Sequence, residues 1–194
     1  MAADNFLYFP AAATGGLLTG KATQPEGEST DDWFSKKKAV EIASFSFGIA
    51  QAETTGSGTT GSSAGKAKFE EFTVEKDVDQ ASSPIFLACT AGAHFPNLML
   101  IVRKAGGSNL LYIQYQFAQV FVTGVNWSGG GGEENVKETI KFKFGAMGIQ
   151  YIQQLPTGGE GKEMVASWSA VTNTPTMDVP GGTPPPDFWA GSQS

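Results

Sequence analysis

The feature that most constrains this chain is a two-residue alternation around its middle. Leu111, Ile113, Tyr115 and Phe117 fall on one side of an extended chain, with Tyr112, Gln114 and Gln116 on the other. A helix would scatter these residues around its circumference, whereas a half-buried strand gathers each set on one face. After Ala118-Gln119 the apolar parity slips to Val120 and Val122, as a bulge or burial on both faces produces. A second alternation places Ile140, Phe142 and Phe144 opposite Lys141 and Lys143. Strands are also expected at 5–9, 40–49, 69–76, 98–104, 149–153 and 164–170, with Ala105-Gly106-Gly107-Ser108 as a hairpin connection. Short strands in this number fold as a sandwich or barrel. The expected class is therefore mainly β: a compact antiparallel barrel of two packed sheets.

One segment departs from the pattern. Residues 82–92 read as a short helix, about 83–92, with Ser83 as cap, Pro84 at the first helical position and Gly92 as the stop. Ile85, Phe86 and Cys89 would form its apolar stripe. Three stretches read as lying outside the core: the polar 11–35, the Gly/Ser/Thr loop 51–66, and the Pro-rich tail 175–194. The expected division is a barrel domain over 1–174 and an extended tail over 175–194. Phe188 and Trp189 near the end of that tail suggest an anchor that docks, for instance on a neighbouring subunit. A free end with incidental aromatics is the plainer reading.

Charge excludes some functions. Of the 194 residues 16% are charged, the net charge is −6, and the densest basic run is Lys36-Lys37-Lys38. Nucleic acid is therefore not an expected partner, since phosphate neutralisation needs clustered cations. No run of 18 apolar residues occurs, so no membrane-inserted helix is expected. Asp4 stands where a Sec signal needs a basic start. Synthesis in the cytoplasm without such a signal is the expectation, followed by export or assembly outside the cell. A single cysteine, Cys89, leaves no internal disulfide.

Catalytic signals are sparse. Gly56-Ser57-Gly58-Thr59-Thr60-Gly61 matches the dinucleotide string, but it leads towards a strand rather than a helix. Residues 61–67 approach a phosphate loop, but Thr60, five before Gly65, and Ala67 stand at two determining positions. Cys89 and His94, five residues apart, could form a nucleophile–base pair, although a cysteine on an apolar helix face acts as a small hydrophobe. Two ligands do not make a metal site. The acidic pairs Asp31-Asp32, Glu70-Glu71 and Glu133-Glu134 read as solvated charge, because neighbours on a strand point apart. No catalytic, cofactor-binding or metal-ligating residue is assigned, and no cofactor is expected.

The ordered set of motifs nevertheless resembles a known family. Asn5-Phe6-Leu7-Tyr8-Phe9 looks like its first strand, and Gly27-Glu28-Ser29 followed by the strand 40–49 looks like its G-E-S and S-F-S-F-G segments. Residues 78–92, with Asp79, Ser82, Ser83 and Pro84, are similar to its helix, and 102–107, 112–122 and the strand ending at Tyr151 keep its spacing. This is the haemolysin-coregulated protein family, the inner-tube component of type VI secretion systems, related to phage-type tail tubes. Residues 11–21 and 175–194 depart from its pattern as an insertion and an added tail.

The resemblance implies a structural, non-enzymatic protomer whose partner is itself. Homo-hexameric rings stack into a hollow tube that serves a contractile sheath and tip protein and carries small effectors. It places the loop 51–66 against a neighbouring subunit or ring, through Gln51, Glu53, Thr54 and Lys66, with Phe188 and Trp189 as further contacts. Gln114, Gln116, Lys141 and Lys143, on strand faces read as solvent-side, would line the channel. Three alternatives stand beside it: a stable extracellular tube or filament without a sheath, a secreted effector enzyme using Cys89 and His94, and a monomeric ligand-binding barrel.

Overall fold

A computed structural model describes residues 3–18, 24–51, 66–104, 111–132, 135–155 and 159–189. The strands are β1 (Ala3–Tyr8), β2 (Val40–Ile42), β3 (Ser44–Ser46), β4 (Ile49–Gln51), β5 (Ala67–Phe69) and β6 (Phe72–Asp77). Helix α1 (Ser82–Ala91) follows, then β7 (His94–Lys104), β8 (Leu111–Ser128), β9 (Lys137–Gln154) and β10 (Glu160–Ser169). All pairings are antiparallel, in the order β2-β1-β7-β8-β9-β6-β3, with β10 added to β9 and a separate β4–β5 ribbon.

The two ends of the sheet are held by one piece of chain. β2 pairs with β1, and β3, one residue further on, pairs with β6. Between them the Ala43 N–H donates to the Glu75 carbonyl at 2.8 Å. The segment 40–46 thus bridges both edges and nearly closes the barrel, which removes edges that would otherwise recruit other chains. The expected mainly-β barrel with one helix is what forms.

The alternations 140–144 and 149–153 belong to one long strand, β9. The strand expected at 40–49 is instead broken into β2, β3 and β4, and that at 69–76 into β5 and β6. The expected hairpin residues 105–108 lie outside the described residues. The parity slip on β8 is real: Phe117 and Val120 both enter the same core. Its cause is local, because Gln119 takes φ 53° while the register to β9 runs on unchanged from Ile113 to Val122. The register shift comes later, between Val122 and Gly124. β9 turns over with β8, placing Met147 and Phe144 inward on either side of Gly145.

The interior is aromatic. Phe72 stacks on Phe117 at 4.7 Å between ring centroids, and Phe47 meets Phe72 edge-on at 5.6 Å. Helix α1 covers one side of this core with Ile85 and Ala88. Phe86, expected in the apolar stripe, is 47% exposed and lies near Trp127. Ser83 does not cap the helix: the N-cap is Ala81, with no side-chain bond. Asp79 organises the entry instead, accepting from the Ala81 N–H at 2.9 Å, while its own N–H donates to the Ser82 hydroxyl at 3.1 Å. Gly92 stops the helix at φ 63°, as expected, and the Ala93 N–H returns to the Ala88 carbonyl at 3.0 Å.

Beneath α1 lies an ionic cluster. Lys76 Nζ sits 2.8 Å from Glu138 and 2.6 Å from Asp79, and the side chains of Lys76 and Glu138 have no exposed surface. Ser82 donates to Glu138 Oε1 at 2.7 Å and the Trp127 indole N–H to Oε2 at 3.0 Å. Every charge is paired and hydrogen-bonded, the condition under which such burial is tolerated. The Asp79…Ser82 spacing noted in the sequence is the helix half of this clamp.

Candidate functional site

No catalytic constellation forms among the described residues. Cys89 packs against the barrel core, His94 begins β7 with its ring 5.2 Å from that of Phe121, and no hydrogen bond joins the two. No group of three or more potential ligands forms a metal site among the described residues, and none of their helices is long and apolar enough to cross a membrane. Residues 56–61 and 133–134, and most of 61–67, lie outside the described residues. Asp31, read as solvated charge, is instead engaged in the cluster around Arg103. What the molecule offers is surface, in three parts.

The first part is the outer face of β7, β8 and β9, which the C-terminal segment crosses. The Asn97 amide donates to the carbonyls of Thr183 at 3.4 Å and Pro184 at 3.2 Å. Gln116 donates to Pro186 at 2.7 Å. Gln114 donates to the Trp189 carbonyl at 2.7 Å, and the Trp189 N–H returns to Gln114 Oε1 at 3.2 Å. Gln114 also donates to Gln150 at 2.6 Å, and Gln150 donates to Glu163 on β10. Two glycines make room: a Cβ at Gly148 would lie 3.1 Å from Met177 Sδ and 3.4 Å from Phe188, and one at Gly145 would lie 3.1 Å from Val179.

This overturns one expectation about the two glutamines. Gln114 is 0% and Gln116 3% exposed, so neither lies on a solvent-side strand face in this chain. The physical reason is that the tail supplies the carbonyls which water would otherwise supply. The other two channel candidates, Lys141 and Lys143, are exposed.

Trp189 is an anchor, and here it docks on its own chain. Its ring lies 4.6 Å from Trp33 and 4.9 Å from Tyr8. Phe6, Phe34, Met99, Ile101, Leu111 and Ile152 form a second core beside it, outside the barrel. Phe34 is 1% exposed, so part of the stretch 11–35 is core after all. Arg103 holds this wall in place: it lies 2.7 Å from Asp31 and 3.0 Å from Asp4, over the rings of Phe6 and Phe34. Asp31 also accepts from the N–H groups of Trp33 and Phe34. Burial works against its charged form, but the Arg103 hydrogen bond, those two N–H groups and the Arg103 charge outweigh it and hold the carboxyl below its usual range.

The second part is β10. One edge pairs with β9, and among the described residues no strand pairs the other. Met164 is 60% and Val165 59% exposed on it. An apolar, uncovered edge of this kind is a template for another chain. The sequence placed a strand here but gave no sign that it would be an edge.

The third part is the β4–β5 ribbon, joined in register from Ile49↔Phe69 to Gln51↔Ala67. Gln51 and Lys66 stand exposed at its far end, and Ile49 is 54% exposed. Glu53 and Thr54 lie outside the described residues. Ribbon, β10 edge and tail-covered face are three separate surfaces around the barrel.

Comparison with known proteins gives a consistent answer. The family model described as "Type VI secretion system effector, Hcp" matches residues 18–151. Protein hcp1 of Pseudomonas aeruginosa is 28% identical over 110 residues, covering 56% of this chain and 68% of that protein. A solved type six secretion system protein superimposes with a TM-score of 0.75 at 30% identity, covering 90% of this chain and 100% of the other. Hcp1 from Salmonella typhimurium gives 0.66 at 26% identity, covering 91% and 100%.

Proposed function

The chain belongs to the haemolysin-coregulated protein (Hcp) family of type VI secretion and is a tube protein of that kind, and from this premise we propose that its copies close into hexameric rings that stack into a hollow tube. The observation that carries the proposal is the bare β10 edge, with Met164 and Val165 exposed on its two faces, beside a barrel that the segment 40–46 nearly closes. A head-to-tail contact between unlike surfaces either closes into a ring or propagates as a filament. The β4–β5 ribbon, ending at Gln51 and Lys66, is the reach towards a neighbouring copy or ring.

The proposed partners are therefore further copies, a contractile sheath, a tip protein and small effectors carried in the lumen, with the tube delivered outside the cell. Lys141 and Lys143 are retained as lumen candidates. Gln114 and Gln116 would join them only where the tail has left their face.

A substitution on the edge tests this. Val165→Lys places a charge on the exposed side of β10, where the fold itself asks nothing of it. Sedimentation velocity is expected to show large species for the wild type and monomer for the variant, with unchanged circular dichroism. Equal sedimentation of the two proteins would remove β10 as the contact.

A further inference from the structure

The carbonyls that the barrel reads on the tail have a period. Asn97 takes Pro184 at 3.2 Å and Thr183 at 3.4 Å, Gln116 takes Pro186, and Gln114 takes Trp189. Counted from Thr183, the longer of the two Asn97 contacts, the positions 183, 186 and 189 are three apart. A polyproline II helix has three residues per turn and no internal hydrogen bonds, so every third carbonyl points the same way and is free to accept. The segment between these positions is Pro184-Pro185-Pro186-Asp187-Phe188. Three side-chain amides on one sheet face therefore match one edge of such a helix, and an aromatic socket at the end takes the Trp.

Two further details mark a groove shaped for an occupant. Gly145 and Gly148 clear its floor where Val179, Met177 and Phe188 lie. Gln114 is locked in one orientation by Gln150, which is itself held by Glu163, so the donor aimed at Trp189 is pre-set. Proline-rich segments are recognised in this way, by aromatic-lined grooves that exploit a ligand already stiff before binding.

We propose that this face is a recognition groove for an extended proline-rich segment that carries a tryptophan, and that the segment it takes from outside the chain is the tail of a second copy. Residues 183–189 of this chain have that chemistry and seat on this face, so a second copy carries a segment that matches it. The tail is joined to the barrel through Gly181-Gly182, with Gly181 at φ 73°, and no strand pairing holds 183–189 in place. Exchanging an identical element between protomers reproduces every contact in trans. The groove stands without the ring proposal, whereas the second copy as source rests on it.

The test uses the full-length chain. Trp189→Ala empties the socket, and a fluorescein-labelled synthetic peptide of residues 180–189 is titrated against it by anisotropy. The variant is expected to bind the peptide at micromolar concentrations. Wild type should bind at least about tenfold more weakly, because its tethered tail competes at an effective concentration near millimolar. Adding Gln114→Ala to the variant is expected to cut affinity about tenfold, and a peptide ending in Ala should not bind. Equal binding to wild type and variant, or indifference to Gln114→Ala, overturns the groove.

A second measurement keeps Trp189 and the three amides in place. Lys37→Cys and Asp187→Cys copies, both carrying Cys89→Ser, are mixed and treated with a bismaleimide. Mixed covalent dimers are expected if tails are exchanged. Rings visible by microscopy without such dimers would overturn the second copy as source while leaving the rings intact. Absence of rings with peptide binding retained would instead count against the assembly.

Discussion

The long ribbon of β8 and β9 has one outer face, yet its two halves are finished differently. Before the turn-over at Gln119 and Gly145, the face carries Gln114, Gln116, Gly148 and Gln150 and is roofed by the tail. Beyond it the face carries Phe121, Lys141 and Lys143 and is bare. The bare half is secured from within, where Glu138 of β9 meets Lys76 beneath α1. The covered half is secured from outside, by amide–carbonyl bonds to the tail. The first network is ionic, with Lys76 and Glu138 fully enclosed. The second is neutral and stands where water enters once the tail lifts, and neutral hydrogen bonds exchanged with water are worth only about 0.5–1.5 kcal/mol each. The helix clamp thus belongs to the fold itself, while the tail is an addition whose loss the rest of the barrel is expected to tolerate.

Substitutions can break that contrast in order of size. Lys76→Met leaves Glu138 charged without its partner inside the barrel, and a loss of about 3–5 kcal/mol is expected, read from the urea midpoint. Trp189→Ala should cost less, about 1–3 kcal/mol, because the ring is only half-buried and its socket can partly close. A Trp189→Ala loss equal to that of Lys76→Met would erase the distinction between fold and addition.

Acid should loosen the wall around Trp189 through Asp31. The Asp31 carboxyl titrates below its ordinary value of 3.8 in the folded chain. Its contribution is therefore fully present above that value and is lost as pH falls below 3.8 through the folded-state pKa. The loss is expected as a step in Trp fluorescence on acid titration, and Arg103→Gln should abolish the step. A step of undiminished size in Arg103→Gln would detach Asp31 from that partner. The smallest effect belongs to the bare half. Lys143 lies 3.9 Å from Glu71 and is 69% exposed, so Lys143→Gln should change the midpoint by less than about 0.5 kcal/mol.

The barrel could be read from alternation because the strand period is local. Ile140, Phe142 and Phe144 carry their facing in their own spacing, and Gly92 carries its stop in its lack of a Cβ. The Ser83 cap was misplaced because Asp79 and Ser82 are drawn into the cluster with Lys76 and Glu138, residues that only the closed barrel brings near. The tail's destination was illegible for a similar reason. Its partners Asn97, Gln114 and Gln116 sit roughly 70 to 90 residues away in the chain, and a glutamine opposite a core residue looks solvent-facing until something covers it. Two signals were nonetheless available: Gly145 and Gly148 inside a strand, which mark close approach, and the prolines preceding Trp189.

This barrel is expected to build a tube from copies of itself. Negative-stain electron microscopy of the purified full-length protein across a range of concentrations addresses it most directly. Uniform six-membered rings, stacking into hollow tubes as concentration rises, are the expected result. Small featureless particles at every concentration would contradict it.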